Sequence, residues 1–533
     1  MIKKIFKWLG FLLLIITVLA GSFAAYEWNA DKPIRFRSFV DREVLKMAFE
    51  SPETLTSLGF LESIGITGHN AELDDASLAK ADEMYVKLKT VHKTLNAYDD
   101  ENLTEADRLS KKIALYLLDF AKDSEQFRYH NYPVNQLFGI QNGYPSFMEA
   151  QHQVNSVADA ENYLSRLEKV KHKFNQELEG IRLREEKGII PPAFVIERVL
   201  EEMNNFVDKP IEENILYSSL AKKMSDSENI SADEQQQLLA KAKNNIKTFV
   251  HPAYQSLITY FSNLQAKATN DDGFWRLPDG DKAYASALQF FTTTNYTPQY
   301  IHDVGLKEVE RIQNEILTIL VEQGYDTSQG FSAAIESLAA QDSFYYPDSD
   351  EGRAQILKDY QVILDEIDTG LDAVFRIRPK AGMEVTRIPE FKEKTAPGAY
   401  YQQPAIDGSR PGRFFANLYD IKATPKYSMR TLAYHEGIPG HHFQIAVAME
   451  LEGLPRQQAI DYMKSNTGMA QSDVISEIER YIVMPGQATS YKVGMMKILA
   501  LREKAKTALG NKFDLRDFHD VVLKNGAVPL DIL

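Results

Sequence analysis

A chain of 533 residues can bury large cores, and its formal charge of −15 leaves too little basic surface for a protein that tracks nucleic-acid phosphates. A hydrophobic share of 44% and a charged share of 25% are ordinary for a globular protein and exclude wholesale disorder. No cysteine is present, so disulfides, thiolate metal ligands and lipoprotein-type acylation are excluded; any metal must be held by His, Asp or Glu, a donor set suited to zinc.

At the amino terminus Lys3, Lys4 and Lys7 precede an apolar run over residues 8–25, and Tyr26 and Trp28 follow it. Lysines behind a run of this length, with aromatic residues at its far end, predict an uncleaved membrane anchor over 1–28, lysines inside and the body exported. The alternative is a signal peptide cut near Ser22-Phe23-Ala24. Residues 29–533 then form one helical domain, its motif-bearing half at about 380–533.

Beyond the anchor, apolar residues recur at helical spacing. Helices are predicted over 75–95, 104–120, 158–187, 192–206, 353–375 and 487–509. Ser231 with Glu234 has capping-box spacing ahead of a helix to about 250, and Thr297-Pro298 reads as an N-cap followed by proline at the first helical position. Residues 383–388 and 413–419 are β-branched or aromatic with proline and glycine on either side, and predict a small sheet. Loops are expected at 345–350 and 265–281. The fold class is mainly α, with that sheet beside a cleft.

The densest chemistry lies at His435-Glu436-Gly437-Ile438-Pro439-Gly440-His441-His442. Imidazoles are common zinc ligands, and a neighbouring glutamate is the usual general base for a zinc-polarised water. In H-E-x-x-H two histidines four apart share a helix face. Here the fourth position after His435 is Pro439, so the helix is expected to end near Glu436-Gly437 and a second to begin at Pro439. If Pro439-Gly440 is an insertion, His441 is the second ligand. If the helix continues with a kink, His442 is.

Asp407-Gly408-Ser409-Arg410-Pro411-Gly412, the block 435–442, and Glu477-x-x-Arg480-Tyr481-x-x-x-Pro485-Gly486-Gln487-Ala488-x-Ser490-Tyr491-Lys492 together resemble the bacterial domain-of-unknown-function 885 family. Gln136-Leu137-Phe138-Gly139 and the closing Phe518-His519-Asp520 segment add to the match. The resemblance implies a multi-helix fold similar to zinc peptidases of the thermolysin-like clan. It implies zinc on His435 and one of His441 or His442, with Glu436 activating water. Arg480, Gln487 and Tyr491 would hold a substrate carboxylate or a developing oxyanion, although Arg480 is also spaced to pair with Glu477 on one helix face.

One departure stands out. The family's Glu-Gly-Trp-x-Leu-Tyr segment, which carries the expected third zinc ligand, is missing: Glu452-Gly453-Leu454-Pro455 runs directly into Arg456. Asp461, Asp473, Glu477 and Glu479 are the acidic residues that could substitute. The leading expectation is a zinc metallopeptidase in the bacterial inner membrane, its body in the periplasm, hydrolysing short peptides and impaired by this loss. A pseudopeptidase that keeps a peptide-binding cleft, and a metal-free His/Glu acid–base enzyme, are the alternatives.

Overall fold

The computed structural model describes all residues except 1, 376–381, 390–392, 394–395, 397, 403–410, 437–470 and 524–527. Within its helices the side chains of 2–7, 9, 10, 12, 13, 63 and 471–473 are also outside the description.

Helix starts follow local chemistry. Ser231 and Glu234 close the capping box, the Ser231 N–H donating to Glu234 Oε2 at 2.9 Å, and the Ala232–Asn245 helix follows. Thr297 Oγ1 accepts from the Tyr300 N–H at 3.2 Å with Pro298 in the first turn, opening the Pro298–Glu322 helix. Thr104 caps Glu105–Asp123 in the same way. Each such cap contributes about 1 kcal/mol and fixes where the chain turns into the helix.

The largest core is built around the 30-residue Val157–Glu186 helix. Its buried positions, among them Tyr163, Leu167, Val170, Phe174, Leu178 and Ile181, recur at three- and four-residue steps and form one apolar stripe. The stripe packs against Ala193–Asp208 and His251–Leu264 through Val195, Val199, Tyr254, Leu257 and Phe261. Each large apolar side chain so buried contributes roughly 1.5–3 kcal/mol. A cation sits inside this core: Arg166 is fully buried, donating to Glu72 O at 2.8 Å, Thr56 Oγ1 at 2.7 Å and His152 Nδ1 at 2.8 Å. His152 in turn donates from Nε2 to Asp159 O at 3.2 Å, which fixes its neutral tautomer.

A second core carries the sheet. β1 (Met383–Arg387), β2 (Ala399–Gln402) and β3 (Gly412–Ala416) stand in the order β1-β3-β2, with β1 parallel and β2 antiparallel to β3. Phe414, fully buried from the centre of β3, packs with Tyr360 of the Asp350–Asp368 helix and with Met429 and Ala433 of the Lys426–Glu436 helix. Two strands were expected. The third, four residues long, is too short to show an alternating pattern. The helix expected over 353–375 ends at Asp368, and Gly370 leads into a short 3₁₀ turn.

Two further helices join these cores. Gln471–Val483 inserts Val483 into the first core and buries Val474, Ile478 and Tyr481 in a smaller cluster. Thr489–Leu509 packs on Gly280–Thr292 through Val493 and Leu288. Gly486 in the turn between them has φ +85°, and a Cβ there would lie 2.9 Å from Leu288 N. Only glycine fits both the conformation and the space.

The amino-terminal helix spans Ile2–Asn29. The side chains of 2–7, 9, 10, 12 and 13 on it lie outside the description, and among the described residues no helix is long and apolar enough to cross a membrane.

Candidate functional site

The motif helix Lys426–Glu436 places its last two residues in different environments. Met429, Ala433 and Glu436 recur at steps of four and three and share the buried face. Glu436 is thereby drawn inward, its side chain 9% exposed, while the adjacent His435 points toward solvent at 42%. The two side chains still approach, His435 Nε2 lying 3.9 Å from Glu436 Oε1. The helix is described as far as Glu436; the expected helix end near Glu436-Gly437 and restart at Pro439 fall on residues outside the description, as do His441 and His442.

Opposite stands the Gln471–Val483 helix. Its Glu477 carboxylate takes two bonds from Arg480, one from Nε at 3.2 Å and a second from Nη2, and accepts the Tyr481 hydroxyl at 2.9 Å. Arg480 Nη1 donates to Gln487 Oε1 across the Gly486 turn. An arginine only donates, so this bond fixes which way the Gln487 amide faces. Four residues on, the Tyr491 ring lies 5.5 Å from that of His435, centroid to centroid.

The electrostatics bind these groups into one site. Burial pushes the Glu436 carboxyl up to about 7; the Glu477 charge adds to the rise and Arg480 opposes it. Burial also raises the Tyr491 hydroxyl against the pull of Arg480, with Glu436 and Glu477 reinforcing the rise, so the phenol remains a donor at neutral pH. For Arg480, burial alone would weaken the cation, but Glu477 reverses this and holds its pKa above the ordinary value.

Support comes from far along the chain. The buried Gln136 donates from Nε2 to Glu479 O at 2.9 Å, and Arg198 pairs with the Glu479 carboxylate at 3.3 Å. Gln136 is presented by a tight turn in which Asn135 Oδ1 accepts the Leu137 and Phe138 N–H groups, each at 2.9 Å. Gly139 closes the turn at φ +146°, where a Cβ would come within 2.9 Å of Val134 Cα.

The structure therefore brings His435, Glu436, Arg480, Gln487 and Tyr491 together around Glu477. Among the described residues no three His, Asp or Glu side chains form a group able to hold a metal ion. Of the acidic residues considered as a third ligand, Glu477 is engaged by Arg480 and Tyr481, and Glu479 by Arg198. Asp461 and the Asp473 side chain lie outside the described residues, as do Asp407 and Arg410. Tyr434 packs against the sheet-bearing core. Sequence reasoning missed Gln136 and Arg198 as supports of this site; the only signal was Gln136's place in a family-like motif, which carries no hint of its partner.

Fold and site define a mainly helical protein in which a His-Glu pair on one helix faces an Arg-Gln-Tyr cluster. The chain belongs to the DUF885 family of bacterial proteins of unknown function, whose model matches residues 52–456 and 449–533. The two matched pieces overlap over residues 449–456. A solved structure described as a candidate lipoprotein from Colwellia psychrerythraea is similar, with a TM-score of 0.86 and 27% identity over 96% of this chain and 97% of that one. Another, a candidate lipoprotein of unknown function from Shewanella oneidensis, shares the fold at a TM-score of 0.64 and 16% identity, over 93% and 98%. No match was found among curated proteins.

Proposed function

We propose that this protein is a zinc-dependent hydrolase of short peptides, with Glu436 as its general base. The observation that carries the reading is the placement of the Glu436 carboxyl: buried on the motif helix beside His435 and opposite Tyr491 and Arg480. A buried carboxylate held within reach of the reacting atoms is the group that general-base catalysis requires.

His435 with one of His441 or His442 would hold the metal, and the bound ion would supply a polarised water. Glu436 would take up a proton from the attacking water at its carboxylate and return it to the leaving amine. Tyr491, kept protonated, donates to the oxygen on which negative charge develops. Arg480 holds Gln487 and Glu477 in place, so that its contribution to substrate binding is chiefly to orient the Gln487 amide.

For location, the Ile2–Asn29 helix is proposed as a single-pass anchor with the body in the periplasm. Its described side chains Trp8, Phe11, Leu14, Ile16, Val18 and Leu19 stand exposed, and no packed core covers them. The Colwellia psychrerythraea neighbour is described as a lipoprotein. In a chain without cysteine the apolar helix would take the place of an acyl group.

The test is the zinc content of the purified full-length protein, with hydrolysis of a short-peptide panel by the native chain and Glu436→Gln. Near-stoichiometric zinc and turnover that disappears in Glu436→Gln support the reading. Turnover that resists chelators would replace it with metal-free acid–base chemistry. The missing ligand-bearing segment favours a second reading, peptide binding without hydrolysis, which predicts little zinc under replete conditions and retained peptide affinity.

A further inference from the structure

We propose that Thr293 is a positioning residue for Tyr491: it clasps the carboxy-terminal segment onto the two helices behind the site and so fixes where the phenol stands against His435. The inference deepens the hydrolase reading above, on which its kinetic part rests.

The first observation is a strained residue with a distant partner. Among the described residues only Asp279 and Thr293 stand at positive φ without being glycine, at +50° and +49°, and they bound the Gly280–Thr292 helix. Aspartate tolerates this conformation. A β-branched side chain is an outlier there, and such strain persists only where the surroundings hold it. What holds Thr293 lies 237 positions on, where its Oγ1 accepts the Leu530 N–H at 2.9 Å. Its neighbours Thr292 and Thr294 are buried and serve a different end: the Thr292 hydroxyl donates to Leu288 O at 2.8 Å, which leaves it to accept from the Thr294 hydroxyl at 2.9 Å. Those two close the helix, while Thr293 receives the carboxy-terminal segment.

The second observation is what that segment touches next. Leu530 packs in the cluster of Leu288, Ile301 and Val493, and Asp531 pairs with Lys497 at 3.2 Å. Two successive residues therefore bridge the Gly280–Thr292 helix to the Thr489–Leu509 helix. Beyond them the chain closes on itself, Pro529 O accepting the Ile532 and Leu533 N–H groups at 2.8 and 3.0 Å.

The third is where the bridge leads. Tyr491 and Val493 are two positions apart and so about 200° apart around their helix, which stands between the Leu530 cluster on one side and His435 on the other. Lys492, between them in sequence, pairs with Glu308. The first turns of the helix are thus held from separate directions, and the clasp is the part of that hold that lies behind Tyr491. A donor to developing negative charge acts only when it is already in place, so looseness here would be felt in the transition state more than in binding.

The test compares the native full-length chain with Thr293→Val, which keeps the volume and removes the acceptor, and Thr293→Ser, which keeps the acceptor. Two quantities are measured: hydrogen exchange at the amides of residues 493–497, whose bonds close the first turns around Tyr491, and kcat and KM on the short-peptide panel. Thr293→Val is expected to speed that exchange about tenfold and to lower kcat about tenfold at unchanged KM and zinc content, with Thr293→Ser close to native in both. Unchanged exchange at 493–497 in Thr293→Val overturns the proposal. Exchange that rises equally in the Lys426–Glu436 helix also overturns it, since Thr293 then serves only the general stability of the fold. Faster local exchange with kcat unchanged shows a clasp that does not place Tyr491, and the proposal falls alone. If the native chain hydrolyses no peptide, the hydrolase reading falls, and the exchange at 493–497 with its rescue in Thr293→Ser still decides whether Thr293 orders the Tyr491 helix.

Discussion

Glu477 grips Arg480 with both carboxylate oxygens, Oε1 lying 3.2 Å from Nε, while the same carboxylate accepts the Tyr481 hydroxyl. The pair is one turn apart on one helix and mostly buried, with side chains 18% and 13% exposed. Breaking it from one side strands a charge. Glu477→Gln is expected to cost about 3 kcal/mol, and Glu477→Gln with Arg480→Gln less than the sum of the singles. Chemical denaturation of the four proteins of the cycle measures both.

Glu436→Gln should leave metal content unchanged and lower kcat by a factor on the order of 10² to 10⁴, the range for loss of a positioned base. His435→Ala should remove the metal itself. Turnover with metal analysis on the same preparations separates the two roles, and unchanged turnover in Glu436→Gln would dismiss the mechanism.

Gly486→Ala places a methyl group 2.9 Å from Leu288 N in a left-handed turn. The strain is expected to cost about 1–3 kcal/mol. Because the turn links Arg480 to Gln487 and Tyr491, activity should fall further than that of a control weakened equally elsewhere. Activity assays on variants matched for thermal stability make the comparison.

His152 predicts a pH dependence remote from the site. Burial lowers its pKa to about 3, and the Arg166 cation adds to the effect. The unfolded imidazole binds a proton near pH 6.5, so between about 6.5 and 3 the unfolded state holds more protons and stability falls as pH falls. The slope from this one group approaches about 1.4 kcal/mol per pH unit below 6. His152→Asn keeps an acceptor for Arg166 and should lose that increment. The difference between the two proteins' denaturation free energies at pH 7 and 5 reports it, whatever the carboxylates contribute to both.

Much of the helical framework was legible in advance because its signals are local. Ser231 with Glu234 and Thr297 with Pro298 mark helix starts within four residues, and the stripe of the Val157–Glu186 helix repeats often enough to be read from spacing. β2 escaped because Ala399–Gln402 pairs with β3 across an intervening stretch and has no periodicity of its own. Within the site, the Glu477–Arg480 pair was visible as an i,i+3 spacing. The burial that raises Glu436 was not, since it depends on how the sheet-bearing core meets the Gln471–Val483 helix. Arg198 reaches Glu479 across 281 positions, a relation that no local pattern encodes.

The hydrogen bond from Gln136 to Glu479 O spans 343 positions, and it bears on the order in which the protein is made. A chain synthesised from its amino terminus completes the helices around Tyr163 and Tyr254 long before Glu477, Arg480 and Tyr491 have left the ribosome. Those helices can settle as a unit and await the carboxy-terminal segment that Gln136 and Arg198 receive. The cluster of Glu477, Arg480 and Tyr491 is then the last part of the structure to be assembled, and a nascent or carboxy-terminally truncated chain lacks it while most of its bulk is already in place.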